Sequence, residues 1–440
     1  MEINVMELGA IPNGIYSNTK IFEEAFDKCD QNGGGTIYVP KGIYLTGPMY
    51  FKNNVTLYLE RGAIILFDKN IEEYKIIKTN FEGIDRLRAT SPIMAINVEN
   101  IAIKGDGIID GNGHLWRYVK EFKQTQKQWD ELLKISPYVI ETDEKRIWFP
   151  SETSYLGSMR KEERVDDPDG IIKAQPYYDY YRPSMVFIRE CKNVLLEGVT
   201  FENSPMWNVH ILFSENIVVN NVKIKNPYWA QSGDGIDIES SNNVCVKNSY
   251  FEVGDDAICL KSGKGIDALK YKESCHDILI CDNVVYQAHG GFVIGSETAR
   301  GIHDVRVINN TFINTDIGLR FKSAIGRCGE ICNVVIDGVN MIDIKNEAVL
   351  FTTAYQLYNL KNEDIDVNKT ANLLEFPEFY NFKISNINCT NSKVGIKILG
   401  TKEKPVHDIY FENINIKSER DFELKNCYNI YIDGKEKDVF

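Results

Sequence analysis

Short stretches of alternating apolar and polar residues recur along most of the chain. Each stretch begins with asparagine or aspartate. An apolar residue, a residue of any type and a second apolar residue follow, and after a polar bend a second alternating stretch begins. Ten copies begin at Asn100, Asn193, Asn216, Asn243, Asp277, Asp304, Asn333, Asn381, Asp408 and Asn429. The intervals between successive copies are 93, 23, 27, 34, 27, 29, 48, 27 and 21 residues. Such alternation predicts strands with one apolar face.

Each copy predicts two short strands around a polar bend, and this unit is too small to bury its own apolar face. Stacked copies solve the problem, because each strand pairs with its equivalent in the next coil and the inward side chains form one core. The period is shorter than the ~40 to 45 residues of a propeller blade. Ten copies in one phase also disfavour an ordinary β-sandwich. The pattern therefore predicts an all-β parallel β-solenoid that forms a single domain over residues 1–440.

Two segments depart from the repeat. Near the N terminus, an amphipathic helix is expected to begin with Asn18 or Thr19 as its N-cap and to stop at Gly33–Gly35. Placed over the open end of the core, this helix would make residues 1–50 an N-terminal cap. Residues 112–182 form an insertion of charged, helix-compatible and aromatic segments. A loop of this length is usually functional or folds as a small cap.

Composition and charge narrow the range of partners. The net charge of -13 disfavours a nucleic acid or an anionic membrane as partner. No apolar run approaches the ~18 residues that a membrane span needs. The N terminus lacks a basic segment followed by an apolar one, so a cytoplasmic location is expected. The ten cysteines include no CxxC pair, which favours reduced thiols over a zinc site. No cofactor is expected, and a monomer is favoured although the sequence does not determine the oligomeric state.

A pair of adjacent aspartates interrupts the apolar run VGDDAICLKSG. Asp255 and Asp256 are this pair, and Asp234 precedes Asp255 by 21 residues, which is close to one coil. Because residues at the same phase of stacked coils lie about 4.8 Å apart, the three carboxylates are expected to meet. His289, Arg320 and Lys322 follow in the next coils on the same side.

Three clustered carboxylates cannot all remain ionised cheaply, so the pKa of one is raised and the site holds both an acid and a base. Glycoside hydrolysis uses this combination, and a separation of ~6.5 to 9.5 Å between carboxyl groups leaves room for water and gives inversion. Side chains from adjacent coils are expected to be able to reach that range. The same three oxygen ligands could instead bind a hard cation such as Ca²⁺. A solvated turn, in which aspartate caps backbone groups, is the third interpretation.

The blocks SGDGID, GDDAICLKSG, AHGGFVIGSE and GLRFKS resemble the signature blocks of the polygalacturonases, glycoside hydrolase family 28. The likeness spans most of the chain outside residues 117–181, and the sequence looks most like the bacterial, often exo-acting branch. The resemblance implies a right-handed parallel β-helix. It also implies inverting hydrolysis of α-1,4-galacturonosyl bonds, with pectin-derived oligogalacturonides as substrate.

The resemblance also implies roles for individual residues. Asp255 would be the general acid, and Asp234 with Asp256 would hold and deprotonate the attacking water. His289 would support the acid and the substrate. Further candidate substrate-binding residues are Arg320 and Lys322 for the sugar carboxylate, then Tyr355, Asp237 and Lys261. His210 is a separate candidate, because with Trp207 it could line the sugar cleft.

Three positions depart from the family pattern. Ser232 and Gly233 replace the Asn-Thr before the first aspartate, Ala288 replaces a glycine, and Phe321 lies between Arg320 and Lys322. The first departure leaves room for a rhamnogalacturonan or another uronide as substrate. The sequence is also compatible with a calcium-dependent, pectate-lyase-like β-elimination and, less well, with a non-catalytic carbohydrate-binding solenoid. We expect the insertion to wall off one end of the cleft, which would make the enzyme exo-acting.

Overall fold

In the computed structural model, the repeats wind into a parallel β-helix. The structure describes residues 1–70, 72–142, 145–271, 273–355 and 376–437. Each central coil contributes three strands, where the repeat predicted two. The third strand escaped prediction because it is buried on both sides, as in Ile236–Glu239, and therefore shows no polar alternation. The strands of successive coils pair in parallel and form three faces.

The first face, called the asparagine face, contains the repeat anchors. Its strands are Glu2–Asn4, Gly35–Val39, Val55–Leu59, Glu99–Gly105, Lys192–Glu197, Glu215–Asn220, Asn242–Lys247, Cys275–Cys281, Ile302–Ile308 and Cys427–Ile432. The long strands Glu330–Ile342, Glu378–Leu399 and Val406–Lys425 begin on this face and continue beyond it.

The second face consists of short strands. These are Asn13–Ser17, Gly42–Thr46, Ala63–Phe67, Ile108–Asp110, Thr200–Glu202, Lys223–Lys225, Tyr250–Glu252, Val284–Tyr286 and Thr311–Ile313. The third face, called the site face, comprises Met49–Tyr50, Ile93–Ile96, Val186–Arg189, Val209–Leu212, Ile236–Glu239, Ile258–Lys261, Gly290–Ile294, Ile317–Lys322 and Glu347–Thr352.

The ten repeat anchors share one backbone conformation. All of them have φ between 51° and 60°, in the left-handed region that asparagine and aspartate tolerate better than other side chains. Their side chains also bond from coil to coil. Asn216 Nδ2 donates to Asn193 Oδ1 at 3.1 Å, and Asn243 Nδ2 donates to Asn216 Oδ1 at 2.6 Å. The repeat therefore begins with asparagine or aspartate for both conformational and hydrogen-bonding reasons.

The N-terminal helix spans Thr19–Gln31 and buries Phe22, Ala25, Phe26 and Cys29 against the first coils. Asn18 occupies the N-cap position, but its side chain accepts a hydrogen bond from the Ile11 backbone N–H instead of from the helix. Gly33 follows the helix end with a φ of 73°. The expected helix and its glycine stop are therefore confirmed, and Thr19 is its first residue.

The insertion folds onto the β-helix as a small α/β unit. It contains the antiparallel strands Val119–Lys120, Val139–Thr142 and Lys145–Trp148 and the helices Gln126–Ile135, Glu152–Ser158 and Gly170–Ala174. The 3-10 turns in and around it are Gly113–Leu115, Glu121–Lys123 and Gln175–Tyr177. Trp116, Trp129 and Trp148 are all buried, so they stabilise this unit and do not present rings to the solvent.

A β-hairpin that the sequence did not predict crosses above part of the site face. Its strands are Ile76–Phe81 and Ile84–Ala89, joined by a two-residue turn with positive φ. Phe81 packs on Trp207 with ring centroids 4.6 Å apart, and Asp85 bonds to Lys270 and Tyr271. The hairpin thus connects the coil of Trp207 to the segment containing the 3-10 turn Ile266–Lys270.

The C-terminal end of the described chain closes with strand Lys435–Glu436, which pairs antiparallel with Cys427–Ile432. No helix within the described ranges combines the length and apolar character required to cross a membrane.

Candidate active site

The three predicted carboxylates lie in turns that immediately precede site-face strands. Asp234 precedes Ile236–Glu239, and Asp255 and Asp256 precede Ile258–Lys261 in the next coil. One oxygen of each carboxylate lies within 4.8 Å of an oxygen of the other two. The structure therefore brings the three side chains together, as the coil spacing predicted.

Asp255 and Asp256 are consecutive residues of one coil, and Asp234 lies in the neighbouring coil, which the paired strands hold about 4.8 Å away. The 4.8 Å limit applies to the nearest oxygens of the three side chains, whereas the ~6.5 to 9.5 Å of inverting glycosidases separates whole carboxyl groups. Inversion therefore stays a prediction.

Asp256 is the charged, fixed member of the trio. Arg320 Nη1 donates to its Oδ1 at 3.0 Å and Lys322 Nζ donates to its Oδ2 at 2.8 Å. Burial favours the neutral acid, but Lys322 and then Arg320 outweigh it and lower the pKa of Asp256 below its ordinary value. Asp256 is therefore ionised at neutral pH.

Asp234 has the opposite character. Its side chain is buried, and burial raises its pKa well above the ordinary value, with the neighbouring carboxylates of Asp237 and Asp255 as the next causes. The sequence predicted one carboxyl with a raised pKa in the trio, and the structure identifies Asp234. The trio therefore pairs a permanent carboxylate with a group of high proton affinity.

The ion pairs of Asp256 favour acid–base chemistry over cation binding in the trio. Both of its oxygens already accept hydrogen bonds from cationic groups. A hard cation would need these oxygens as ligands, and it would be repelled by Arg320 and Lys322 at close range.

His289 lies at the rim of the trio, partly exposed. Its backbone N–H donates to the Asp255 carbonyl at 3.0 Å, and its Nε2 lies 3.6 Å from Asp316 Oδ2. Asp316 in turn accepts from Lys345 Nζ at 3.0 Å. Sequence reasoning missed Asp316, although it follows His289 by 27 residues, an interval found repeatedly between anchors.

Tyr355 joins the cationic pair of the site. Its ring centroid lies 5.7 Å from the Arg320 guanidinium carbon and 5.3 Å from Lys322 Nζ. All three side chains line an open cleft together with Asp255 and His289. The structure thus groups the residues predicted to bind the sugar carboxylate with the predicted acid.

Asp237 and Lys261 lie in the floor of the site face, where both are buried. Lys261 Nζ lies 3.4 Å from both Asp237 Oδ1 and Glu297 Oε2, and 4.5 Å from the Trp207 ring centroid. Burial raises the pKa of Asp237 to about 8, although Lys261 opposes the shift. Substrate contact by this pair stays a prediction, and Glu297 is an unpredicted member of the network.

His210 is also in the floor and does not reach the open cleft. Its ring is 1% exposed, its Nε2 lies 3.0 Å from Glu239 Oε2, and it packs edge-to-face on Trp207. This environment is that of a packed, hydrogen-bonded residue, which differs from the predicted place beside the sugar. Its suggested role in substrate binding stays a prediction that this position does not favour.

The insertion contributes one wall of the cleft. The wall residues are Lys120, Phe122, Lys123, Gln124, Thr125 and Gln128, which face Tyr228, Gln231 and Asp316. Thr125 and Gln128 form a capping box at the start of helix Gln126–Ile135, and this fixes the wall segment. The expectation that the insertion borders the cleft is consistent with this geometry.

Comparison with known proteins identifies relatives over nearly the whole chain. An exo-poly-α-D-galacturonosidase of Dickeya chrysanthemi is 30% identical over 426 residues, which cover 94% of this chain and 67% of that protein. The chain thus spans about two thirds of that relative's length. An endo-polygalacturonase of Pectobacterium parmentieri is 25% identical over 421 residues, covering 93% of this chain and 86% of the relative.

Solved structures show the same architecture. The exopolygalacturonase of Thermotoga maritima superposes with a TM-score of 0.76 at 27% identity, covering 99% of this chain and 93% of its own. The family 28 exopolygalacturonase of Yersinia enterocolitica superposes with a TM-score of 0.74 at 25% identity, covering 99% of this chain and 79% of its own. Residues 173–434 match the profile of glycosyl hydrolases family 28. This match includes the whole trio and most of the β-helix, and the chain therefore belongs to glycosyl hydrolases family 28.

Proposed function

We propose that the protein hydrolyses α-1,4-galacturonosyl bonds of pectin-derived oligogalacturonides from one chain end and with inversion. One observation carries the proposal: two fixed cations, Arg320 and Lys322, lie directly beside a carboxylate trio in an open cleft. The cations suit a sugar carboxylate, because a guanidinium can grip it through two hydrogen bonds. The trio suits acid–base cleavage of the bond beside that sugar.

The three carboxylates divide the chemistry according to their environments. Asp255 donates a proton to the leaving glycosidic oxygen. Asp234 and Asp256 hold the attacking water, and Asp234 takes its proton, since its high pKa makes it a stronger base than the ion-paired Asp256. Because the carboxyls are coupled, a proton on Asp255 in the reactive state favours ionisation of Asp234.

The exo mode is supported by the segments that border the cleft. The insertion forms one wall, and the hairpin Ile76–Ala89 covers site-face strands next to the trio. A cleft bordered by an added wall suits a chain end better than the middle of a polymer. The names of the Dickeya, Thermotoga and Yersinia relatives point in the same direction.

β-Elimination is less compatible with the site. A lyase needs an arginine free to act as base, whereas Arg320 is ion-paired with Asp256. The replacement of Asn-Thr by Ser232 and Gly233 keeps another uronide-containing substrate, such as a rhamnogalacturonan fragment, as the second candidate.

The test is time-resolved product analysis on a defined α-1,4-galacturonate oligomer, with an ultraviolet check for unsaturated ends. We expect steady release of saturated monogalacturonate, abolished by Asp255→Asn. Asp277→Asn is the matched control, because Asp277 is an exposed anchor at a position where other coils carry asparagine. Saturated oligomers of mixed length would overturn the exo mode, and unsaturated products would overturn hydrolysis.

A further inference from the structure

An exposed tyrosine lies between two lysines at the cleft wall. Tyr228 is 46% exposed, and its ring centroid lies 6.0 Å from Lys123 Nζ and 5.0 Å from Lys345 Nζ. Tyr228 and Lys123 line the same cleft as Asp255 and His289. None of the three residues belongs to the site predicted from the sequence.

The two lysines differ in their partners. Lys345 is bound to Asp316, whereas no described carboxylate lies within ion-pair distance of Lys123 Nζ. Burial lowers the pKa of Lys123, and the carboxylates of Asp255 and Asp316 oppose this shift. The positive charges of Lys120 and Lys345 add to the effect of burial. A half-buried ammonium that has no ion-pair partner among the described carboxylates would be stabilised further by an anion bound in the cleft.

Lys123 also lies outside the segment that matches the family profile. The family profile covers residues 173–434, so Tyr228 and Lys345 lie within it and Lys123 lies in the insertion. The insertion thus contributes positive charge to the wall of the cleft. Because no described hydrogen bond or ion pair joins Lys123 to the trio, we expect its charge to act mainly on substrate binding.

We infer that Tyr228, Lys123 and Lys345 form a second uronate-binding subsite, separate from Arg320 and Lys322, which requires a free carboxylate on a further sugar of the substrate. The Tyr228 ring offers an apolar platform for the sugar face, and the Lys123 ammonium binds the carboxylate. This inference rests on the proposed function. A methyl ester at that sugar removes the negative charge and with it the attraction to Lys123.

The test compares Lys123→Gln with the matched control Lys127→Gln, an exposed lysine in the adjacent helix. Two substrates are compared. The first is trigalacturonate. The second is the same trimer with methyl esters on every carboxyl group except that of the sugar next to the scissile bond. We expect Lys123→Gln to raise KM for trigalacturonate about tenfold to a hundredfold, with kcat changed less than about threefold. Wild type and Lys127→Gln should discriminate against the ester, and Lys123→Gln should largely lose this discrimination.

The outcomes separate the inference from the function on which it rests. If wild type cleaves trigalacturonate and Lys123→Gln has the same KM and ester discrimination as Lys127→Gln, the subsite is wrong and the proposed function stands. A fall in kcat alone, in a variant whose thermal unfolding matches wild type, would also contradict a binding role. If wild type cleaves no galacturonide, the proposed function itself fails.

Discussion

Lys322 donates a 2.8 Å hydrogen bond to Asp256, and this contact keeps a buried carboxylate ionised beside two others. Arg320 completes the pairing on the other oxygen. No described cation lies within ion-pair distance of the neighbouring Asp234, and burial and the carboxylates around it raise its pKa although Lys261 opposes the shift. Asp234 and Asp256 thus differ in proton affinity because Arg320 and Lys322 bind only Asp256 of the two.

Substitution Lys322→Gln removes one of the two cations that hold Asp256. Because Arg320 remains, we expect a loss of about 2–3 kcal/mol in the free energy of unfolding, near the low end for breaking a buried pair. We expect kcat/KM on oligogalacturonide to fall at least about 100-fold, since the substrate carboxylate loses the same cation. Denaturant unfolding and steady-state kinetics measure both effects, with the exposed Lys383→Gln as control. If Lys322→Gln has the same free energy of unfolding as wild type, the ion pair does not stabilise the fold and the prediction is wrong.

The contribution of Asp256 to stability should depend on pH in a defined direction. Its pKa is lower in the folded protein than in the unfolded chain, so the stabilisation is complete above the ordinary aspartate value of about 4. It is lost as pH falls through the lowered folded value. The free energy of unfolding of wild type minus that of Asp256→Asn should therefore be constant from pH 6 to 8. This difference should become smaller in strong acid, where Asp256 is protonated. Denaturant unfolding over this pH range measures both.

Substitution Asp237→Asn should stabilise the protein at high pH. The pKa of Asp237 is raised to about 8 in the folded state, so the folded protein holds a proton that the unfolded chain releases above about pH 4. Stability contributed by this group therefore falls as pH rises from about 4 to 8. We expect Asp237→Asn to gain about 1–3 kcal/mol at pH 8 and little at pH 4, measured by denaturant unfolding at both pH values. A variant that loses stability at pH 8 would contradict this assignment.

The asparagine ladder makes a prediction about the fold. Asn216 combines a φ of 60° with side-chain hydrogen bonds to Asn193 and Asn243. We expect Asn216→Ala to cost about 2–3 kcal/mol, from left-handed strain and lost hydrogen bonds, and Asn216→Gly to cost about 1 kcal/mol less, because glycine removes the strain alone. Equal melting temperatures for the two variants would show that backbone conformation is not the reason for asparagine at this position.

Activity should not depend on a divalent cation. Both carboxylate oxygens of Asp256 accept hydrogen bonds from Arg320 and Lys322, and these two positive charges repel a metal cation. We expect oligogalacturonide cleavage to be unchanged after dialysis against EDTA and after addition of Ca²⁺. Loss of activity in EDTA that is restored by Ca²⁺ would contradict acid–base hydrolysis and revive the elimination mechanism.

Much of the architecture could be predicted because the fold repeats locally. All ten anchors begin coils, and the spacing of Asp234 and Asp255 places both carboxylates in one site, as the alternating pattern indicated. The site-face strands could not be read in the same way, because they are buried on both sides and show no alternation. Asp316 was predictable in principle, since it lies one coil after His289.

Other features depend on contacts between distant parts of the chain. The hairpin Ile76–Ala89 reaches Trp207 and Tyr271, and the sequence gives no sign of either contact. The proton affinity of Asp234 depends on burial that the fold creates. The burial of His210 beside Glu239 has the same origin, because it requires the strand Ile236–Glu239 to lie against Val209–Leu212.

The most direct test of the account is the anomeric form of the first product, followed by proton NMR during cleavage of an α-1,4-galacturonate oligomer. The account predicts that β-galacturonate appears first and then mutarotates, because water held by Asp234 and Asp256 attacks from the face opposite the leaving group that Asp255 protonates. The product should be absent with Asp255→Asn and present with Asp277→Asn. α-Galacturonate as the first product would contradict this mechanism and would indicate retention through a covalent intermediate.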